Sequence, residues 1–274
     1  VEQVTWRENV SSTHYAHSFV RGNWASEARS APMILAKCCH DLDQIGWVTG
    51  QRVSALASFG RLTHFRPVHA PAGAPERCTD GCPAAETCPY FAPDIYLTAD
   101  AGWPASVISL DHSLAARREA LETGPYGRCV YRCDNDVVDT QVLAFEFEGG
   151  ATGTLTMHGF SSEEGRTLRL DGTRGSLMAR FATRQEIRFE PHDPFTSFHG
   201  GGEVVWTPED EQDGRHGGGD GALCRAFVAA VRAGRPESVD DFLESHWLAF
   251  AAETSRQTGQ VVPMDRFRRG LVAR

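Results

Sequence analysis

Val137-Val-Asp-Thr-Gln-Val-Leu-Ala-Phe-Glu-Phe-Glu148, the pair Gly149-Gly150, and Ala151-Thr-Gly-Thr-Leu-Thr-Met-His-Gly-Phe160 form two period-two runs on either side of a turn. Successive side chains of a strand point to opposite faces, so such alternation marks a half-buried strand. Two glycines supply the positive φ that a tight hairpin needs. The pattern returns over Thr167–Asp171, Ser176–Phe181 and Glu186–Glu190, which predicts an antiparallel meander. Upstream, Val1–Arg7 and Arg52–Arg66 read as further strands, and Asn9–Trp24 follows neither period and reads as a functional loop or an irregular strand. Helices are predicted over Ala31–Val48, with Ser30 as cap and Pro32 in the first turn, and over Ser106–Glu122 before Gly124. Two more close the chain, Asp220–Ala233 ending at Gly234 and Asp240–Thr258 ending at Gly259. The expected fold is α+β: one open, mainly antiparallel sheet with helices on one face, in a single domain over residues 1–274.

Composition narrows the class of function. Of 274 residues, 41% are hydrophobic and 23% charged, the proportions of a chain that can bury a core, which excludes a disordered segment. A net charge of −9 gives no basic field to attract phosphates, so nucleic acid is not an expected partner. No run approaches the roughly 18 apolar residues of a membrane-spanning helix, and the first twenty residues hold no signal-like stretch. A cytoplasmic protein with no membrane partner is expected. The chain opens at Val1 and its first methionine is Met33, so a preceding segment is expected.

Four groups of residues could carry chemistry. On the helix Ala31–Val48, Ile34, Leu35, Cys38, Leu42 and Ile45 share an arc of roughly 100°, and Lys37, His40, Asp41 and Gln44 share another on the far side. An ammonium, an imidazole and a carboxylate one turn apart suit proton transfer near neutral pH; the bland alternative is a solvated polar face. Cys78-x3-Cys82-x5-Cys88 lies in a Pro/Gly-rich segment, Pro67–Pro93, with no other evident means of order. Cys133 or Cys129 could complete a tetrahedral zinc site, with free thiols or a disulfide as alternatives. Cys38 and Cys224 read as packing residues on apolar helix faces. His216-Gly-Gly-Gly-Asp220 is an active-site loop or a plain connector. His14, Tyr15, His17, Arg21 and Asn23, among Phe19, Val20 and Trp24, read as the lining of a partly buried site or as a solvated loop.

Together these stretches resemble the C-terminal domain of the glucose-fructose oxidoreductase / inositol dehydrogenase (Gfo/Idh/MocA) family. The resemblance is carried by Ala16-His-Ser-Phe-Val-Arg-Gly-Asn-Trp24, Ile34-Leu-Ala-Lys-Cys-Cys-His-Asp-Leu-Asp43 and Tyr126-Gly-Arg-Cys-Val-Tyr-Arg-Cys-Asp-Asn-Asp136. Phe147–Gly153, Gly165–Gly175 and His216–Asp220 extend it along nearly the whole chain. It implies oxidation of a sugar, cyclitol or related polyol with NAD or NADP, held by a Rossmann domain that lies upstream of these residues. It implies catalytic work for His40, with Lys37 and Asp41 tuning it, and substrate contacts from His17, Arg21, Asn23, Asn135 and His216. The family's Asp one turn before the histidine is Ala36 here, and Lys37 resembles a variant pattern. That departure admits an NAD-dependent glycosidase or lyase, and a sugar-sensing regulator is the non-enzymatic alternative. The open sheet face, with Val142, Ala144 and Phe145–Phe147, suggests a homo-oligomer, against simple core packing under helices.

Overall fold

Along Gln3–Ser11 (β1) the residues Val4, Trp6, Glu8 and Val10 all point inward, and their neighbours face out or lie half-exposed. The computed structural model describes residues 1–192, 204–207, 219–234 and 240–272. The remaining strands are Val53–Arg61 (β2), Thr140–Phe147 (β3), Thr152–Ser161 (β4), Gly165–Gly172 (β5), Gly175–Phe181 (β6), Gln185–Pro191 (β7), Val204–Trp206 (β8) and Val262–Pro263 (β9). They form one nine-stranded sheet in the order β8-β7-β6-β5-β1-β4-β3-β2-β9. Every neighbouring pair is antiparallel except β1 with β4.

The sheet is therefore not a simple meander. β3 and β4 form the expected hairpin, turning at Gly150 with φ 88°, and β5 to β8 run antiparallel in sequence. Between β4 and β5, however, β1 is inserted, parallel to the first and antiparallel to the second. Local alternation reveals strands but not a partner 150 residues away, which is why sequence reading joins β4 directly to β5.

One face is covered by helices Met33–Thr49 (α2) and Asp240–Thr258 (α6), with Met264–Val272 (α7) against β2. Ile34, Cys38, Leu42 and Ile45 of α2 join Leu248, Ala249, Ala251 and Ala252 of α6. Together they cover Val4 and Trp6 of β1, Leu143, Phe145 and Phe147 of β3, and Leu155 and Met157 of β4 in one core. Ser30 does not cap α2: its N-cap is Pro32, with no side-chain bond, so packing of its buried face holds the helix. Burial of each large apolar side chain contributes about 1.5–3 kcal/mol, more than a cap of about 1 kcal/mol.

The opposite face is open. Val142 and Ala144 lie on it as expected, together with Phe59, but Phe145 and Phe147 do not: period two sends them to the helix side, where both are buried. No described helix is long and apolar enough to cross a membrane.

β1 runs to Ser11 and Ser12–Arg21 is helical, which corrects the reading of Asn9–Trp24 as a loop or irregular strand. Ser11 caps a single turn, Ser12–Tyr15 (α1), by accepting the His14 N–H at 3.3 Å, and a wider π-helical turn runs over Ala16–Arg21 with every residue buried. Polar residues inside an apolar helical face mask its period. Gly159 makes room for this element, since a Cβ there would stand 2.4 Å from the Tyr15 ring. Pro67–Pro93 holds only a short 3-10 turn, Pro67–His69, and the start of Ala92–Tyr96 (α3). The helix expected over Ser106–Glu122 forms later, at Leu114–Thr123 (α4), capped by Ser113. Gly219–Ala233 (α5) exposes Leu223, Phe227 and Val231, and Cys224 on it is exposed rather than packed.

Candidate active site

A glutamate at an inward position of a central strand must find a counter-charge, and Glu8, 1% exposed, finds two. Arg166 stands opposite it in the β1/β5 register, with Nε 3.2 Å from Glu8 Oε2, and Lys37 reaches down from α2 to place Nζ 3.2 Å from Oε1. The same Arg166 Nε donates to Asp41 Oδ1 at 2.7 Å, and Trp6 Nε1 donates to that oxygen at 2.8 Å. Two acidic and two basic side chains thus meet under α2.

Asp41 is fully buried, which corrects the reading of it as part of an exposed stripe. At about 100° per residue it lies only about 20° from Ile34, so the polar arc abuts the apolar one. Lys37 is half-buried, and His40 and Gln44 remain on the exposed side. His40 Nδ1 lies 3.4 Å from Cys39 Sγ; this contact raises the imidazole's pKa and lowers the thiol's.

Two residues before Arg166, Glu164 receives the Ser11 N–H at 2.7 Å and pairs with His14 Nδ1 at 3.1 Å. Burial pushes this carboxyl up, but the hydrogen bonds from His14 and Ser11 outweigh it and hold Glu164 at about 2. The His14 ring meets Trp103 edge-on at 5.0 Å, and Trp103 in turn meets His17 at 5.4 Å. His17 is buried, stacked on Tyr126 at 4.9 Å, with Nδ1 2.9 Å from Tyr96 Oη. Burial, then the nearby His14 and Arg21, lowers its pKa to about 4, so it is neutral at physiological pH. Trp103 is 57% exposed, leaving aromatic surface beside the two imidazoles, and Trp24, 45% exposed, meets Phe19, which in turn meets His14. The arrangement can grip a small molecule having both an apolar face and hydroxyl groups.

The other expected contacts are distributed differently. Asn23 is exposed next to Trp24. Arg21 is 4% exposed and spends its guanidinium inside the protein, on the carbonyls of Arg128 at 2.7 Å and Tyr90 at 2.8 Å. Asn135 is 8% exposed and donates to Phe65 O at 3.4 Å. His216 lies outside the described residues. Sequence reasoning missed Glu8, Glu164, Arg166, Trp103, Tyr96 and Tyr126. Glu8 had a signal, a charge at the third inward position of Val4-x-Trp6-x-Glu8-x-Val10; the others meet only through long-range pairing.

Among the described residues there is no dinucleotide cradle: the one parallel pair, β1 with β4, is not built as strand, glycine-rich turn, helix and neighbouring strand. The described elements do not form a site for a nicotinamide cofactor.

Comparison with known proteins agrees with this architecture. Residues 5–264 match the family described as "Oxidoreductase family, C-terminal alpha/beta domain", and the chain belongs to that family. It is 26% identical over 220 residues to YteT of Bacillus subtilis (strain 168), which carries an oxidoreductase name; the match covers 78% of this chain and 50% of that protein. The chain thus spans about half the length of the curated relative it matches. Among solved structures, an oxidoreductase domain protein from Kribbella flavida aligns with TM-score 0.58 and 17% identity, over 96% of this chain and 59% of that one. A levoglucosan dehydrogenase solved with NADH and levoglucosan aligns with TM-score 0.57 and 14% identity, over 95% and 57%. The aldose-aldose oxidoreductase from Caulobacter crescentus, solved with glycerol, gives 0.52 and 12%, over 96% and 55%. At these identities the structures share the fold.

The buried cluster predicts a pH signature. Burial, and then the adjacent Asp41, raises the Glu8 carboxyl from 4.5 to about 7, against the lowering pull of Arg166 and Lys37. A carboxyl raised in the folded state favours folding while protonated, so stability is greatest below about 4.5 for this group and declines as pH rises through about 7. Denaturant midpoints measured across that window are expected to fall in the wild type relative to Glu8→Gln; parallel curves for the two proteins would refute the raised carboxyl.

Proposed function

We propose that this chain is the substrate-binding half of an oxidoreductase that acts on a secondary hydroxyl of a sugar, cyclitol or related polyol. The observation that carries the reading is exposed Trp103 set edge-on against His14, whose ring pairs with Glu164, with exposed Trp24 linked to His14 through Phe19. A sugar ring has an apolar C–H face and a rim of hydroxyls. The indoles suit the first, and the Glu164 carboxylate and the neutral His17 suit the second. Half-length coverage of the curated relative supports a cofactor held by residues outside this chain, as does the lack of a dinucleotide cradle among those described.

A bound NAD or NADP supplies the hydride acceptor in this class of reaction. The share of this chain is to orient the alcohol and accept its proton. His40 is the proton-handling group: it is exposed, and its contact with Cys39 raises its pKa. Lys37 and Asp41 act as positioning residues: Lys37 holds the α2 side of the charge cluster, and Asp41 fixes the helix against β1 and β5. Ala36, where a carboxylate would stand one turn before His40, favours a second reading in which oxidation is transient and the net reaction is an elimination or glycoside cleavage.

In the full-length protein, assayed with aldoses, inositols and glycosides, His40→Ala is expected to lower kcat by about 10²-fold or more. Trp103→Ala is expected to raise KM by about tenfold, the equivalent of about 1.4 kcal/mol. Full activity of His40→Ala would defeat the assignment. Net accumulation of reduced nicotinamide supports a dehydrogenase, and turnover without it supports the transient-oxidation reading.

We propose that the open sheet face packs against a second copy of the chain. Phe59, 68% exposed, and Val142 and Ala144 give it an apolar centre beside Arg7 and Arg61. Sedimentation is expected to show a dimer that Phe59→Asp converts to a folded monomer; a monomeric wild type would contradict this.

A further inference from the structure

Cys78, Cys82, Cys88 and Cys129 line one small internal cavity together with Arg21, Tyr90 and Tyr131. The cavity lies in the segment with the least regular structure, Pro67–Pro93, where few repeating backbone bonds hold the chain. The backbones bearing the thiols are nevertheless fixed. The Arg77/Arg128 bridge sets Cys78 N–H on Gly127 O and Cys129 N–H on Glu76 O, each at 2.9 Å, and Cys88 N–H bonds Ala84 O at 2.9 Å. Cys133, one of the four thiols singled out in the sequence, does not line the cavity: its thiol bonds Cys129 O at 3.3 Å. The structure brings Cys129 into that place.

One feature calls for negative charge on the thiols that line the cavity. Arg21 is buried at the cavity wall, with Nη2 3.5 Å from Cys78 Sγ, and its Nη1 has no hydrogen-bond partner. A buried guanidinium N–H without an acceptor is costly unless negative charge arrives beside it. All four cysteines are free, and among the described residues no three His, Cys, Asp or Glu side chains already stand in metal-binding geometry.

We propose that Cys78, Cys82, Cys88 and Cys129, which line this one cavity, close as thiolates round a single tetrahedral metal ion of the zinc type, with the buried Arg21 offsetting part of their charge. Four sulfur ligands select Zn²⁺ among common divalent ions, and binding exchanges four S–H protons for one cation. The free space of about 10 Å³ is that of one water molecule, which suits one ion and excludes a four-iron cluster. The function is structural. The ion would tie Pro67–Pro93 to Cys129, in the loop that leads to β3, and so fix Tyr96, whose hydroxyl meets His17 at 2.9 Å, on the wall of the candidate site.

The test is elemental analysis of the full-length protein, purified without chelator, with a cobalt titration of metal-stripped, reduced protein. About one zinc per chain is expected, with the sulfur-to-cobalt charge-transfer and tetrahedral bands of a four-thiolate site. Cys82→Ser is expected to lose zinc to a competing chelator at least about tenfold more readily, whereas Cys133→Ser retains it. Absence of zinc and of the cobalt bands in a folded wild type would overturn the proposal. So would iron with inorganic sulfide, a native disulfide among the four cysteines, or equal retention by Cys82→Ser. None of these outcomes bears on His40 or Trp103, so the functional reading stands or falls separately.

Discussion

The bond from Arg166 to Asp41, shared with Glu8, is the constraint on which the central architecture depends. It joins three elements distant in sequence: β1, β5 and α2. A fully buried aspartate is tolerated only where donors surround it, and Arg166 and Trp6 supply them. An apolar residue of similar size at position 41 would pack without such demands. The charged solution fixes the rotation of α2, and the insertion of β1 beside β5, to one arrangement.

That arrangement sets what reaches the surface. With Asp41 turned inward and Lys37 drawn to Glu8, His40 and Gln44 face outward from α2. On the other side, β1 ends in Ser11, which caps α1 and donates its backbone N–H to Glu164, so His14 is held by both ends of the same contact. The π-helical turn that follows buries His17 and Arg21 in opposite roles. His17 leans on Tyr96 and Tyr126 along the aromatic wall, and Arg21 serves the cysteine cavity. A π-turn shifts side chains relative to a regular helix and allows neighbouring residues to serve different interiors.

Much of the fold was legible because its signals are local. Alternation locates β3 to β7 within a few residues, and apolar spacing locates α2 and α6. What failed was non-local. Nothing near β4 announces that β1 will separate it from β5, and β8 and β9, at three and two residues, are too short to show a period. In the site, Lys37 and His40 were legible from helical spacing. Trp103 and Glu164 were not, because only tertiary contacts bring them to His14. Asp41 shows the limit of a helical wheel: a residue at the seam of two arcs takes its side from the partners waiting there, here Arg166 and Trp6.

A double-mutant cycle on Asp41→Asn and Arg166→Met, read by chemical denaturation, tests the central claim most directly. If the buried pair holds α2 to the sheet, each single change should cost about 3–5 kcal/mol and the double mutant much less than their sum, with a coupling of about 2 kcal/mol or more. Additive losses within about 0.5 kcal/mol would show that the two residues act independently, and would contradict the account.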